Sequence, residues 1–345
     1  MSWFTDDADE GDYAEFDESS ARVRPNPKAN RPRSKNRPEH ADAVAGRVFS
    51  VDRGRYGVWV DENTPDERQL IATRARELGK KSVVTGDWVD LVGDVSGDEG
   101  SLARIVRIQP RSTLLRRSAD DTDSVERIIV ANADQMLIVV AAADPEPRPR
   151  LVDRYLVAAF DAGIAPILCI TKTDLADPAG FLGNFAGLDL RIIESRSDAF
   201  PIEAIRAALE GHTTVAVGHS GVGKSTLVNA LVPEAHRAVG RVNTVTGRGR
   251  HTSSSTISYR VGSGWIVDTP GVRSFGLGHV DPASILKSFT DLALVAEDCP
   301  RGCTHLPDSP DCAIIERAAA GGLGKIGAQR LDSFQRLITT LGSAP

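Results

Sequence analysis

The stretch Gly218-His219-Ser220-Gly221-Val222-Gly223-Lys224-Ser225 fits G-x-x-x-x-G-K-[ST]. That spacing suits a polyphosphate. Glycines let the backbone approach phosphate oxygens, so that successive N–H groups and a helix N-terminus point at the anion. Lys224 would reach the outer phosphates, and the Ser225 hydroxyl, with Thr226 following it in the nucleotide-contacting stretch, would bind Mg²⁺. Two elements must hold such a loop. The β-branched run Thr213–Val217 reads as the buried strand leading in, and Ser225–Leu231 reads as the helix leading out. A glycine-rich turn that fits by chance is the alternative, and the strand–loop–helix context argues against it.

A second and a third stretch bear on which nucleotide is held. Asp268-Thr269-Pro270-Gly271 follows the apolar strand Gly264–Val267. There Asp268 can hold Mg²⁺ through water, and the Gly271 N–H can approach a γ-phosphate. Thr171-Lys172-Thr173-Asp174 follows the apolar strand Ala165–Ile170 and fits [NT]-K-x-D. The Asp174 carboxylate can accept from guanine N1–H and N2–H₂, donors that adenine lacks in that arrangement, while the Lys172 stem covers the base. A site built to pair specific donors rejects the analogue without them by a large factor. Alone, T-K-x-D is also compatible with a solvated loop; beside the other two motifs it points to guanine. Ser195-Arg196-Ser197 stands where GTPases usually carry S-A-[KL] against the base, and only Ser195 matches that pattern.

The order of these motifs is unusual. GTPases ordinarily run from P-loop to switch threonine, D-x-x-G and N-K-x-D, whereas here residues 171–174 precede residues 218–225. A site built from loops at the carboxyl ends of parallel strands tolerates such a permutation. In this order the motifs resemble the circularly permuted, small-subunit-dependent ribosomal GTPases of bacteria, the RsgA/YjeQ type, over about residue 44 to the end. The resemblance implies a GTP hydrolase, acting with Mg²⁺ on the small (30S) ribosomal subunit and its 16S rRNA late in subunit maturation, stimulated by the ribosome and released on hydrolysis to GDP. Gly249-Arg250-His251-Thr252-Ser253 is similar to the family's G-x-H-T-T segment. It suggests Thr252 as the switch threonine on Mg²⁺, with Ser253 the alternative. Where many GTPases place a water-orienting Gln after D-x-x-G, this chain has Val272. The resemblance therefore makes His251 the catalytic candidate, an exposed loop histidine being the other reading.

Cys299, Cys303, His305 and Cys312 collect three of the four cysteines within 14 residues. Three thiolates and an imidazole suit a closed tetrahedral Zn²⁺ site, one per chain. Three cysteines cannot all pair with one another, and for a cytoplasmic chain the cluster reads as metal rather than disulfide. The first gap holds three residues here and typically four in the family, which bears on loop shape more than on ligation.

The chain of 345 residues carries 26% charged and 5% aromatic residues and a net charge of −6. No apolar run reaches membrane-spanning length, and the acidic N-terminus does not read as a signal peptide, so the expectation is a cytoplasmic protein without a membrane partner. Residues 6–18 hold eight acids and no base, and residues 22–37 seven bases and no acid. Such blocks suit a disordered tail over residues 1–43, either an RNA-contacting arm or a solubilising extension.

Five short alternating segments between residues 44 and 117 predict a small barrel. Composition allows an SH3-like barrel as well; the resemblance, with Gly86-Asp87 in the family's "GD-x-V" step, favours an OB-fold able to bind RNA. Tyr56 and Trp59 are possible base-stacking residues, with core packing the other use, and Arg111, Arg116 and Arg117 form a basic exit. Residues 118–275 alternate apolar strands with helices (Leu151–Ala162, Ile202–Leu209) and predict a permuted α/β GTPase domain. Residues 276–345 read as a mainly helical zinc domain that closes on an Ala328–Leu341 helix. The expected architecture is thus multidomain, and the expected state a monomer. Two other classes compete with this reading. One is a GTP-stabilised rRNA-binding scaffold with little turnover, and the other is a P-loop ATPase, which Asp174 disfavours.

Overall fold

A computed structural model describes residues 40–79, 81–118, 126–232, 256–269, 275, 277–324 and 326–341. The N-terminal strands β1 (Val44–Asp52), β2 (Arg55–Val60), β3 (Arg68–Arg74), β4 (Trp88–Gly93) and β5 (Ala103–Ile108) lie close to the predicted segments. They form a closed five-strand barrel: the order is β1-β2-β3-β5-β4, and β4 returns to pair antiparallel with β1. Strand alternation turns Val48, Val58, Leu70, Leu91 and Ile105 into one apolar interior. Gly86 is required where β4 begins. Its φ is +89°, and a Cβ there would stand 2.1 Å from the Ala131 carbonyl oxygen.

A hairpin of β6 (Leu114–Ser118) and β7 (Glu126–Ala131) leaves the barrel. Then come β8 (Gln135–Ala141), β9 (Ala165–Thr171), β10 (Arg191–Glu194) and β11 (Thr213–Gly218), all parallel, in the spatial order β10-β9-β8-β11. Parallel strands need crossovers that cover both faces. Helix α1 (Pro149–Asp161) covers one face, and α3 (Ile202–Leu209) and α4 (Lys224–Leu231) cover the other; a short α2 (Ala179–Leu182) lies in the connection to β10. Every residue of β8 is buried.

Beside β11 runs β13 (Gly264–Asp268), and outside it lies antiparallel β12 (Ile257–Val261). This strand joins the two halves, because Ile257 pairs with Ser50 of β1 and makes one sheet of eleven strands. The seam is polar and aromatic. Arg47 is buried, donates to the Thr213 hydroxyl at 2.6 Å and lies over the Trp265 ring at 4.9 Å. Trp59 meets Trp265 edge-on, and Arg260 of β12 pairs with Glu67 at 2.7 Å.

The C-terminal helices α5 (Pro282–Leu286), α6 (Thr290–Ala296), α7 (Ala313–Ala319) and α8 (Gly327–Leu341) share an apolar core with the α1 face of the sheet. Phe289 and Phe334 meet at 5.4 Å, and Phe275 meets Tyr155 of α1 at 5.8 Å. Arg336 of α8 reaches the buried Asp153 of α1 at 3.1 Å. Among the described residues, no helix is long and apolar enough to cross a membrane. The acidic and basic blocks of the N-terminal tail lie outside the described residues.

Candidate functional site

The 218–225 loop has the geometry that its glycines predict. Gly221 and Gly223 take φ of +84° and +90°, values open to glycine at little cost. Gly223 caps α4 without a side-chain acceptor, so the first-turn N–H groups of Lys224, Ser225 and Thr226 are available to an anion. Ser220, Ser225 and Thr226 are exposed, Val222 is buried beneath the loop, and His219 directs Nδ1 to the Ser220 carbonyl oxygen at 2.9 Å. Gly218 closes on β8: a Cβ there would come within 2.5 Å of the Val139 oxygen.

Asp268 stands at the end of β13, adjacent to β11, and its carboxylate is ion-paired with the Lys224 ammonium. Acid and base thus address the same volume at the mouth of the loop, as the handling of a metal–polyphosphate requires. The next residue, Thr269, is buried and donates to the Ala216 oxygen at 2.9 Å, tying this corner to the P-loop strand.

The 171–174 stretch arrives on β9, two strands from β11. Thr171 is buried and donates its hydroxyl to the Val222 oxygen at 2.6 Å. The two motifs are therefore in direct contact although they are 51 residues apart in the reversed order. Lys172 adopts φ of +57° and donates to the Asp144 carbonyl oxygen. Asp174 is half-buried in the loop that follows β9. Its carboxylate accepts from the Ser197 hydroxyl and from the Ser197 N–H at 2.6 Å, and these bonds, the hydroxyl's first, hold its pKa below the ordinary carboxylate value. Ser195 is buried and acts here through its backbone: its N–H reaches the Ile170 oxygen at 2.8 Å, and its carbonyl accepts from the Thr173 N–H at 3.2 Å. Its hydroxyl lies near the Arg196 oxygen rather than Asp174. The Ser197 contact had no signal in the sequence beyond standing two places past the expected serine.

His251, Thr252, Ser253, Gly271 and Val272 lie outside the described residues. The chain around them is anchored on both sides. The Thr256 oxygen accepts from the Thr85 hydroxyl of the barrel at 3.0 Å, and Phe275 is buried against α1.

Cys299, Cys303, His305 and Cys312 converge, with all four ligand atoms within 4.8 Å of one another. Zn–S near 2.3 Å and Zn–N near 2.0 Å in a tetrahedron place two sulfurs about 3.8 Å apart and sulfur and nitrogen about 3.5 Å apart. Here Cys299 Sγ and Cys312 Sγ lie 3.9 Å apart, and they stand 3.7 and 3.5 Å from His305 Nδ1. The donor set and its spacing fit zinc. Burial lowers the His305 pKa, favouring the neutral imidazole that a metal needs. The Gln335 amide of α8 donates to the His305 oxygen at 2.9 Å, and Phe334 flanks the ring.

On the barrel, Arg111 is spent on structure. It makes bonds of 2.6 and 2.8 Å to the fully buried Asp87, which also accepts from the Val84 N–H. Tyr56 is buried and Trp59 faces the seam, leaving Trp88 as the more exposed barrel aromatic.

Comparison with known proteins agrees with this geometry. The RsgA GTPase family matches residues 108–278. The small ribosomal subunit biogenesis GTPase RsgA of Pseudomonas aeruginosa is 35% identical over 299 residues, which cover 83% of each chain. In fold, the chain is similar to the crystal structure of YjeQ from Thermotoga maritima, with a TM-score of 0.63, 23% identity and coverage of 87% of this chain and 99% of that one. It is likewise similar to YloQ, described as a circularly permuted GTPase, with a TM-score of 0.62, 23% identity and coverage of 88% and 98%.

Proposed function

The chain belongs to the RsgA GTPase family, and on that premise we propose that it hydrolyses GTP on the small ribosomal subunit during its late maturation and leaves after hydrolysis. The observation that carries the reading is the bond from Thr171 to Val222, which joins a guanine-reading loop to a phosphate-cradling loop in one site.

In this account the 218–224 backbone and Lys224 hold the β- and γ-phosphates. Ser225, Thr252 and Asp268 serve the Mg²⁺ that accompanies GTP, and Gly271 approaches the γ-phosphate. Thr171, Lys172 and Asp174 select guanine, with the Ser195 backbone bracing their loop. His251 orients the attacking water, the task that Val272 cannot perform. Mg²⁺, when bound, neutralises charge on the phosphoryl oxygens.

The barrel and the C-terminal helices are read as the ribosome-facing parts. The order β1-β2-β3-β5-β4 with a parallel β3–β5 pair suits an OB-type barrel, a fold used on single-stranded nucleic acid. The cysteine–histidine cluster would hold one structural Zn²⁺ and stiffen the turn between α6 and α7. Each appendage adjoins one nucleotide-sensing segment: the barrel holds Thr256, the last residue of the polar stretch 236–256 read as the switch region, and Phe275, just after Asp268–Gly271, is buried in the core that the C-terminal helices share with α1. Ordering of both segments around the γ-phosphate would then be felt at both appendages. The reading places a monomer in the cytoplasm, in contact with 16S rRNA.

Val272 favours a second reading, a GTP-stabilised rRNA scaffold with little turnover. Co-sedimentation with 30S subunits separates the two readings. Retention with a non-hydrolysable GTP analogue and loss with GDP is expected; equal binding in both states would contradict a nucleotide-gated cycle.

A further inference from the structure

Three successive residues tie the start of β12 to the barrel. The Thr256 oxygen accepts from the Thr85 hydroxyl at 3.0 Å, Ile257 pairs with Ser50 of β1, and the Ser258 hydroxyl donates to the Phe49 oxygen at 3.4 Å. On the other side of β12 the antiparallel register places Ile257 opposite Asp268. Asp268 is in turn ion-paired with Lys224 of the phosphate loop. One strand therefore lies between the barrel and the acid at the mouth of the nucleotide site.

Thr85 is buried and stands on the firmly held side of this contact. Its carbonyl accepts from the Ala131 N–H at 3.0 Å. The next residue, Gly86, donates its N–H to the Val48 oxygen at 2.8 Å, and its carbonyl accepts from the Asn132 amide at 2.9 Å. Asp87 follows, fully buried in its bonds to Arg111 and the Val84 N–H. A shift of the barrel on a partner therefore carries Thr85 with it. Of the two side-chain ties to β12, that of Thr85 is the shorter, and removing it leaves the β-ladder intact.

We propose that Thr85 is a positioning residue that couples the barrel to the nucleotide site: its hydroxyl links the placement of the barrel to that of Thr256, Ile257 and, across the ladder, Asp268. The inference rests on the proposed nucleotide-dependent cycle on the small subunit, and it names the contact that transmits it. Coupling between two sites is a free energy shared by both. A partner on the barrel that acts on Asp268 must therefore itself be held differently with GTP and with GDP. In the free protein Asp268 keeps its place without Thr85, because β13 is laddered to β11 as well as to β12.

The test uses the full chain and its Thr85→Val and Thr85→Ser variants. Affinity for 30S subunits is measured with GDP and with a non-hydrolysable GTP analogue, and nucleotide affinity is measured without subunits. Thr85→Val keeps the shape and removes the donor, and the half-buried Thr256 is left to bond with water. The wild type should hold 30S subunits more tightly with the analogue than with GDP. Thr85→Val should shrink that ratio about fivefold, the order of one neutral hydrogen bond, and leave nucleotide affinity without subunits unchanged. Thr85→Ser keeps the donor and loses a methyl group. It should restore the ratio, an outcome that a packing defect would not give. A wild-type ratio in Thr85→Val, a Ser variant as impaired as the Val variant, or an equal loss of nucleotide affinity without subunits would overturn the role of Thr85 while leaving the cycle in place. A wild-type protein that binds 30S subunits equally with both nucleotides would overturn both.

Discussion

Thr171 donates its hydroxyl to the carbonyl oxygen of Val222 at 2.6 Å, and through that bond the loop that reads the base is held against the loop that cradles the phosphates. Both partners are buried, so removing the donor strands an acceptor away from water. Thr171→Val keeps the shape and deletes the hydroxyl. It should cost about 1–3 kcal/mol, read as a roughly 5- to 150-fold loss of GTP affinity with little change in fold. Isothermal titration of GDP and GTP checks this, and an unchanged affinity would show that the two loops do not depend on each other.

Asp174→Asn replaces one of two acceptor oxygens by a donor that faces the guanine N2–H₂ or N1–H. GTP binding should fall by two orders of magnitude or more, about 3 kcal/mol, because donors are left unpaired in a site built to accept them. ATP binding should not fall with it. A parallel loss of both nucleotides would point instead to damage at the phosphate loop.

His251 follows from the resemblance and from Val272, which has no group able to orient water. His251→Ala should retain GTP affinity and lose most turnover on the ribosome, on the order of a hundredfold for a missing water-positioning group. Single-turnover hydrolysis separates the two effects. Turnover at the wild-type rate would remove His251 from the mechanism.

The cysteine–histidine cluster predicts a metal content of about one zinc per chain in protein purified without added metal. Cys312 is buried at the start of α7, and His305 is tied to α8 through Gln335. Cys312→Ser, or chelation at elevated temperature, should therefore release zinc and lower the melting temperature by several degrees, a shift that corresponds to about 1–2 kcal/mol or more. Metal-free protein with unaltered melting would contradict a structural zinc.

Much of this molecule is legible in its sequence because its signals are local. Alternation in Val44–Asp52 and Trp88–Gly93, an unbroken apolar run in Gln135–Ala141, and glycine spacing around Lys224 are each set by neighbours in the chain. The features that escaped are those whose partners are distant. Ile257–Val261 reads as five unremarkable residues after a polar stretch; it becomes a strand because β13 lies on one side and β1, some two hundred residues earlier, on the other. The hairpin Leu114–Ser118 with Glu126–Ala131 is separated in sequence by a stretch that holds the polar run Asp120–Ser124, which weakens its periodicity. Arg111 reads as part of a basic exit from the barrel until the buried Asp87 is seen beside it. Ser197 reads as a loop serine until the parallel pairing of β9 and β10 brings it to Asp174.

Hydrolysis of GTP by the purified protein with 30S subunits, with 50S subunits and with neither tests the central claim most directly. The account predicts slow turnover alone, no response to 50S subunits and strong stimulation by 30S subunits, by a factor of ten or more, about 1.4 kcal/mol off the barrier. GTP binding of normal affinity with no stimulation by 30S subunits would contradict a ribosome-gated enzyme and leave the scaffold reading in its place.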